Sequence, residues 1–201
     1  MKEPDTYTSP EDDIERDEDQ EWIIMALAQL RVVIEQAEWF HRLGQPLSDD
    51  IRIIAEDYVA QLGFPGVWVS GVTDWETAAS TAENPEINSE SWEAEETLRA
   101  HLTQEALLFL GEEDLGQALD AITTSATPVI FEAAANVANM WGVDDDEIIE
   151  ACAGAALQAC YNAALVIAAG EEEDHPCALK FALYETGHWP IAITGQTLNI
   201  F

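Results

Sequence analysis

Glu38 and His41 stand three residues apart in Glu38-Trp39-Phe40-His41, and on a helix that spacing puts both side chains on one face. Pairs of this kind from two helices, joined by two further glutamates, build di-iron carboxylate sites in bundles. Glu172 with His175 and Glu185 with His188 repeat the spacing, one in an acidic stretch and the other across Gly187. In a chain so rich in glutamate such matches also arise by chance. The plain reading pairs Glu38 with Arg42 one turn on and packs His41 at a helix end. A softer set is His175-Pro176-Cys177, with Cys160 able to join it, which has the ligand types of a zinc site or of a Cys–His nucleophile. Zinc sites show closely spaced ligand pairs, and buried structural thiols are the commoner state of free cysteine. The expectation is therefore no catalytic residue, no metal and no cofactor. A carboxylate–histidine metalloenzyme built on Glu38 and His41 stands as an alternative.

No phosphate loop, dinucleotide fingerprint, nucleophile elbow or zincin helix occurs. Gly111 to Gly116 (Gly-Glu-Glu-Asp-Leu-Gly) carries the wrong sign for a phosphate cradle. Three cysteines without a Cys-x-x-Cys are an odd, unclustered set, read as reduced thiols of a cytoplasmic protein. The first residues have no apolar stretch of the secretory kind. Ala151 to Ala169 is free of charged residues, but it is mostly alanine and is flanked by acid on both sides, so it reads as a core helix rather than a membrane span.

Charge is the main signal. Forty Asp plus Glu stand against seven Lys plus Arg, a formal net charge of −33. Nucleic acid, phosphate groups and anionic membranes all require a basic face, so the sequence argues against each as a direct partner. The acids gather in residues 11–21, in Glu93 with Glu95 and Glu96, in Asp144, Asp145 and Asp146, and in Glu171, Glu172, Glu173 and Asp174. A solvated face explains each run singly, but the total costs self-repulsion in the folded state. One explanation is salt adaptation of an ordinary intracellular protein, against which glutamate exceeds aspartate and large hydrophobics are plentiful. Another is a basic partner, such as a nuclease or other nucleic-acid-binding protein, whose groove the acids enter in place of phosphates.

The elements that must position these groups are mainly helical. Residues 1–21 read as an acidic, disordered or loosely attached tail, and residues 22–201 as one helical domain. Ile23, Leu27, Leu30, Ile34 and Ala37 recur at helical spacing from Trp22 to Leu43, with Gly44 as the stop. A second helix follows Ser48 and ends at Gly63, with Ile51, Ile54, Ala55, Tyr58 and Leu62 on one face. Val67-Trp68-Val69 suits a short strand. Thr73 with Glu76 matches a capping box for a helix to about Ala82. Further helices are expected from Ser91 to Leu110, from Glu113, from Thr127-Pro128 to Trp141, from Asp144 with Glu147 as a capping box to Gly170, and from His175-Pro176 to about Glu185. That makes seven or eight. The last stretch, 190–201, alternates about Gly195-Gln196 and predicts a hairpin with a type II′ turn. The fold class is mainly α: a compact multi-helix bundle with a C-terminal β-hairpin and one short extra strand, centred on the alanine-rich helix.

Seven tryptophans are many for this length. Core packing accounts for Trp39, Trp92 and Trp141. Trp189, where the last helix meets the hairpin, is either an anchor or an interface hot spot. The sequence thus predicts a non-catalytic, acidic, cytoplasmic interaction protein of the immunity, nuclease-inhibitor or DNA-mimic kind. Its partner-binding residues are expected to be Asp144, Asp145, Asp146, Glu171, Glu172, Glu173, Asp174 and Trp189.

Overall fold

The computed structural model describes residues 10–84, 87 and 89–201, with side chains from residue 20 onward. In chain order the elements are α1 (Pro10–Gln36), α2 (Asp49–Gln61), β1 (Trp68–Gly71), α3 (Trp75–Ala82), α4 (Ser89–Trp141), α5 (Asp146–Ala168), α6 (Pro176–Glu185), β2 (Pro190–Thr194) and β3 (Thr197–Ile200). The fold is mainly α, with one small sheet.

Helix α5 is the centre. Ala153, Ala156, Ala159, Ala163, Ala164 and Ala168 are buried along it, with Cys152 and Cys160. Side chains that stop at Cβ or just beyond let neighbouring axes approach to the near end of the usual ~8–10 Å range. Helices α1, α4 and α6 all pack directly on α5. Among the described helices α5 alone is long and apolar enough to cross a membrane (mean hydropathy 1.5), and 61% of that window is buried inside the fold. Its apolar surface is spent on the protein core.

Several boundaries differ from the sequence expectation. The first part of the expected tail, residues 1–9, lies outside the described residues, but from Pro10 the backbone is already helical. Proline at the first helical position and acids in the first turn both favour a helix start. At its other end α1 stops at Gln36, not near Leu43. Trp39 and Phe40 are adjacent and both buried, which one helix face cannot provide. The chain turns instead: Phe40 takes a left-handed φ of 62°, and Trp39 Nε1 donates to the Ile34 carbonyl at 2.9 Å. The caps of α3 and α5 sit one residue later than expected. Asp74 accepts from Thr77 N at 2.8 Å, and Asp145 accepts from Glu147 N at 3.1 Å and Ile148 N at 3.3 Å.

No helix begins at Thr127. Its hydroxyl donates back to the Thr123 carbonyl at 2.7 Å, and α4 runs through Pro128. Ile122, Ala126, Ile130 and Ala134 form one unbroken buried stripe, whose burial outweighs the single backbone bond that proline removes. The break in α4 falls at Gly111 instead, where φ is 73° and ψ is 172°. This corner of backbone space is essentially closed to residues with a Cβ. It divides α4 into two runs, 89–110 and 112–141, at the boundary expected between Leu110 and Glu113; with α4 taken as one element there are six helices among the described residues, and with its two runs counted separately seven.

The expected hairpin forms, with Thr194 paired to Thr197 across a two-residue loop in which Gly195 has φ 58°. Ile193, Leu198 and Ile200 face a second core made with Leu47, Ile51, Tyr58 and Leu183. Strand β3 is central: β2 flanks it antiparallel, and β1 joins it in parallel from the distant Trp68–Gly71 segment.

Gly111 and Gly116 make a controlled pair, because a Cβ added at either meets nothing within 4 Å. Gly111→Ala should lower stability by about 1–3 kcal/mol through backbone strain alone. Gly116→Ala, on ordinary helical backbone, should raise it by about 0.5–1 kcal/mol. Denaturant unfolding of the two variants beside the parent chain checks both signs.

Candidate functional site

The candidate metal groups are arranged for structure. Glu38 and His41 lie beyond the end of α1, in a turn rather than on a helix face. His41 Nε2 lies 3.2 Å from Glu38 Oε2 and accepts from Arg42 Nε at 3.2 Å, while Nδ1 donates to the Glu38 carbonyl. The Glu38 carboxylate thus lies beside the His41 ring and not beside Arg42 as expected. Among the described residues no group of three or more His, Cys, Asp or Glu side chains is placed to hold a metal ion. His175 caps α6, its Nδ1 accepting from Cys177 N at 3.1 Å, so that nitrogen is already occupied. Burial pushes the Cys160 and Cys177 thiols up to about 12 and Cys152 well above its ordinary value. Burial of this kind favours the protonated, inert thiol of a structural cysteine.

Trp189 is 2% exposed and cannot be an interface hot spot. It is the anchor. Its ring lies 6.3 Å from that of Trp75, and its backbone exchanges hydrogen bonds of 2.6 and 2.9 Å with Phe201. Trp92 and Trp141, both expected in the core, are instead 60% and 43% exposed, although the Trp141 ring still lies edge-on to Phe201 at 5.7 Å.

The acidic runs separate into three kinds. Glu95 and Glu96 are already paired. Lys180 Nζ donates to both Glu95 oxygens at 2.6 and 2.8 Å, Tyr58 donates to Glu95, and Arg99 pairs with Glu96. A carboxylate so enclosed must be paired, which explains where a scarce lysine is used. The Asp144 to Asp146 run is explained by capping. Asp145 is the N-cap and Asp146 lies in the first turn of α5, where the helix dipole favours negative charge.

Glu171 and Glu172 have no such account. They follow the C-terminus of α5, where the dipole is negative and acids are unfavourable. Gly170, at φ 70°, closes that helix: Gly170 N donates to the Ile167 carbonyl at 3.1 Å and Glu171 N to Val166 at 3.0 Å. Asp174 adjoins the start of α6, where negative charge is favoured again. The two expected patches, Asp144 to Asp146 and Glu171 to Asp174, thus sit at opposite ends of a 23-residue helix, about 35 Å apart at ~1.5 Å per residue.

The fold brings further acids to the second patch. Trp22, Ile23, Phe109 and Gly170 line one cleft of about 230 Å³, which joins the middle of α1, the break in α4 and the end of α5. Gln20 donates to Asp114 at 3.3 Å across the same end. The segments that carry Glu21, Glu112 to Asp114 and Glu171 therefore meet at this end of α5. Exposed apolar side chains stand among them, Trp22 at 55% and Leu108 at 79% exposure. Between Arg99 and Lys180 the sequence has no Lys or Arg at all to neutralise this pole. The sequence marks Gly111 to Gly116 only as a poor phosphate loop, gives Trp22 no role beyond opening a helix, and puts Phe109 on the apolar face of its helix with Leu102 and Ala106, whereas Phe109 is 37% exposed. From this pole a groove of about 770 Å³ runs between α1, α5 and α6.

Comparison with protein-family models, with curated proteins and with solved structures finds no match for this chain. The site has to be argued from its own chemistry.

His188 gives a test of the packing behind that chemistry. It is 2% exposed, lies 3.2 Å from Thr186 Oγ1, and is held down to about 4 by burial, then by the neighbouring Arg42 and His41. The unfolded chain takes up this proton from about pH 6.5 downward and the folded chain does not. The stability that neutral His188 allows is thus complete above that value and is lost as pH falls through about 4. Thermal melting of His188→Gln from pH 7 to 4 should show a shallower decline than the parent chain.

Proposed function

We propose that this protein is a non-catalytic, cytoplasmic acidic interaction protein that binds a basic protein and by binding inhibits or chaperones it. The partner class is a nuclease or other nucleic-acid-binding protein, whose phosphate-binding face the carboxylates occupy. One observation carries this reading. Glu171 and Glu172 stand at a helix C-terminus, where they oppose the dipole, and further acids from α1 and α4 crowd the same pole with no base in the intervening sequence. A purely structural surface would relax by exchanging some of these acids for lysine. A cationic partner removes the repulsion on binding, and attraction between the two speeds encounter. The capping role of Asp144 to Asp146 supplies a local reason for that patch, so the reading rests on the opposite pole.

The experiment is capture from lysate of the source cells on immobilised protein, in three forms: the parent chain, Glu171→Lys/Glu172→Lys/Glu173→Lys, and Asp144→Lys/Asp145→Lys/Asp146→Lys. The parent chain should retain a basic protein at ~50 mM salt and release it by ~500 mM, as the Debye length falls from ~13 to ~4 Å. The first variant should lose it. The second should keep it, although its melting temperature falls with a cap worth about 1 kcal/mol. Capture that ignores salt and both reversals would overturn the reading, as would no capture. A chain that unfolds when salt drops below about 1 M would assign the acidity to salt adaptation.

A further inference from the structure

We infer that the groove between α1, α5 and α6 is the seat of a cationic amphipathic helix, about three turns long, supplied by the partner. The inference rests on the reading above and gives it a binding mode. The α1 wall is one stripe: Trp22, Ala26, Leu30 and Val33 recur at helical spacing and line the groove over about 16 Å. Opposite them Ala163, Val166 and Ile167 come from α5, and Phe181 comes from α6. Ala178 and Ala182 keep the α6 side low, so that a backbone can come close.

The rim is charged with one sign. Glu171, Glu172 and Glu173 stand before the first turn of α6, and Glu185 stands at its last residue, so carboxylates mark both ends of the trough. The ten residues of α6 span about 15 Å, matching the stripe on α1. An occupant must offer a continuous apolar face about 15 Å long with positive charge at each end. Three turns of amphipathic helix with Lys or Arg flanking the apolar stripe do so. The walls are helices and the three-stranded sheet contributes no residue to the groove, so recognition runs through side-chain ridges and not through strand pairing.

Charge rules out the obvious competitors. A second copy of this chain brings another −33 to the interface, and the chain's own first residues are acidic as well. Nucleic acid and anionic lipid are repelled by the same carboxylates.

The probe is an ~18-residue Leu/Lys peptide with its leucines on one helical face. It is compared with a scrambled peptide of equal charge and with a Leu/Glu version, by calorimetry at ~50 mM salt. The amphipathic cationic peptide should bind at least about tenfold more tightly than the scramble, and the Leu/Glu peptide should not bind. Ala182→Trp, which fills the groove from α6, and Ala26→Trp, which fills it from α1, should each weaken binding about tenfold, with melting measured beside them. Reversal of Glu171, Glu172 and Glu173 to lysine should weaken binding at low salt and matter little at ~500 mM. Equal binding of both cationic peptides, untouched by either tryptophan in a folded variant, would overturn the groove while leaving the acidic reading intact. No binding of either cationic peptide overturns the groove as well, and the reading is then judged by lysate capture alone.

Discussion

Close packing against α5 is the interaction on which the rest of the molecule depends. A chain with so few bases cannot hold itself together by ion pairs, and its own charge pushes it apart. What remains is burial. The alanines of α5 bring α1, α4 and α6 close around one axis, and that proximity lets Ile34, Leu102, Ile122, Ile130 and Leu165 fill the space between helices with almost no exposure. Larger residues along α5 would thrust the neighbours outward and open the core.

The same constraint decides how the scarce cations are used. Lys180 goes to Glu95, which the fold encloses between α2, α4 and α6, where an unpaired carboxylate would be costly. Arg99 goes to Glu96 and Arg42 to the His41 turn. Little positive charge is left for the poles. Acids at the α5 N-terminus are tolerated because the helix dipole and the cap welcome them. Those at its C-terminus have no such support, and they surround the mouth of an apolar groove. A surface in which local repulsion and exposed apolar area coincide is what a cationic, amphipathic partner would relieve.

The groups that looked chemically able are disarmed by their surroundings. Nδ1 of His175 is spent on a helix cap, His188 is kept neutral by burial, and burial raises the pKa of all three thiols. The potential ligands are scattered by the topology, since Cys152 and Cys160 line the inner face of α5 while His41 and Glu38 share a surface turn.

Helical periodicity made the buried faces of α1, α2, α4 and α5 legible from the sequence, because a 3.6-residue repeat is a local property. The Ser48 cap, the Gly170 stop and the two-residue loop at Gly195 were equally local, and so was the excess of acid. Tertiary structure decided the rest. Whether α1 ran on to Leu43 depended on two aromatics finding separate pockets, with Phe40 against Tyr184 and Trp39 against Phe181. Whether Thr127-Pro128 opened a helix depended on a stripe that only α5 and its neighbours could bury. The parallel pairing of Trp68–Gly71 with Thr197–Ile200, the burial of Trp189 under Trp75, and the meeting of Trp22, Phe109 and Gly170 join segments far apart in the chain. Spacing along the sequence carries the pattern of each element, but which charges become neighbours is set by how the elements pack, and packing is fixed only when every apolar stripe has found its cover.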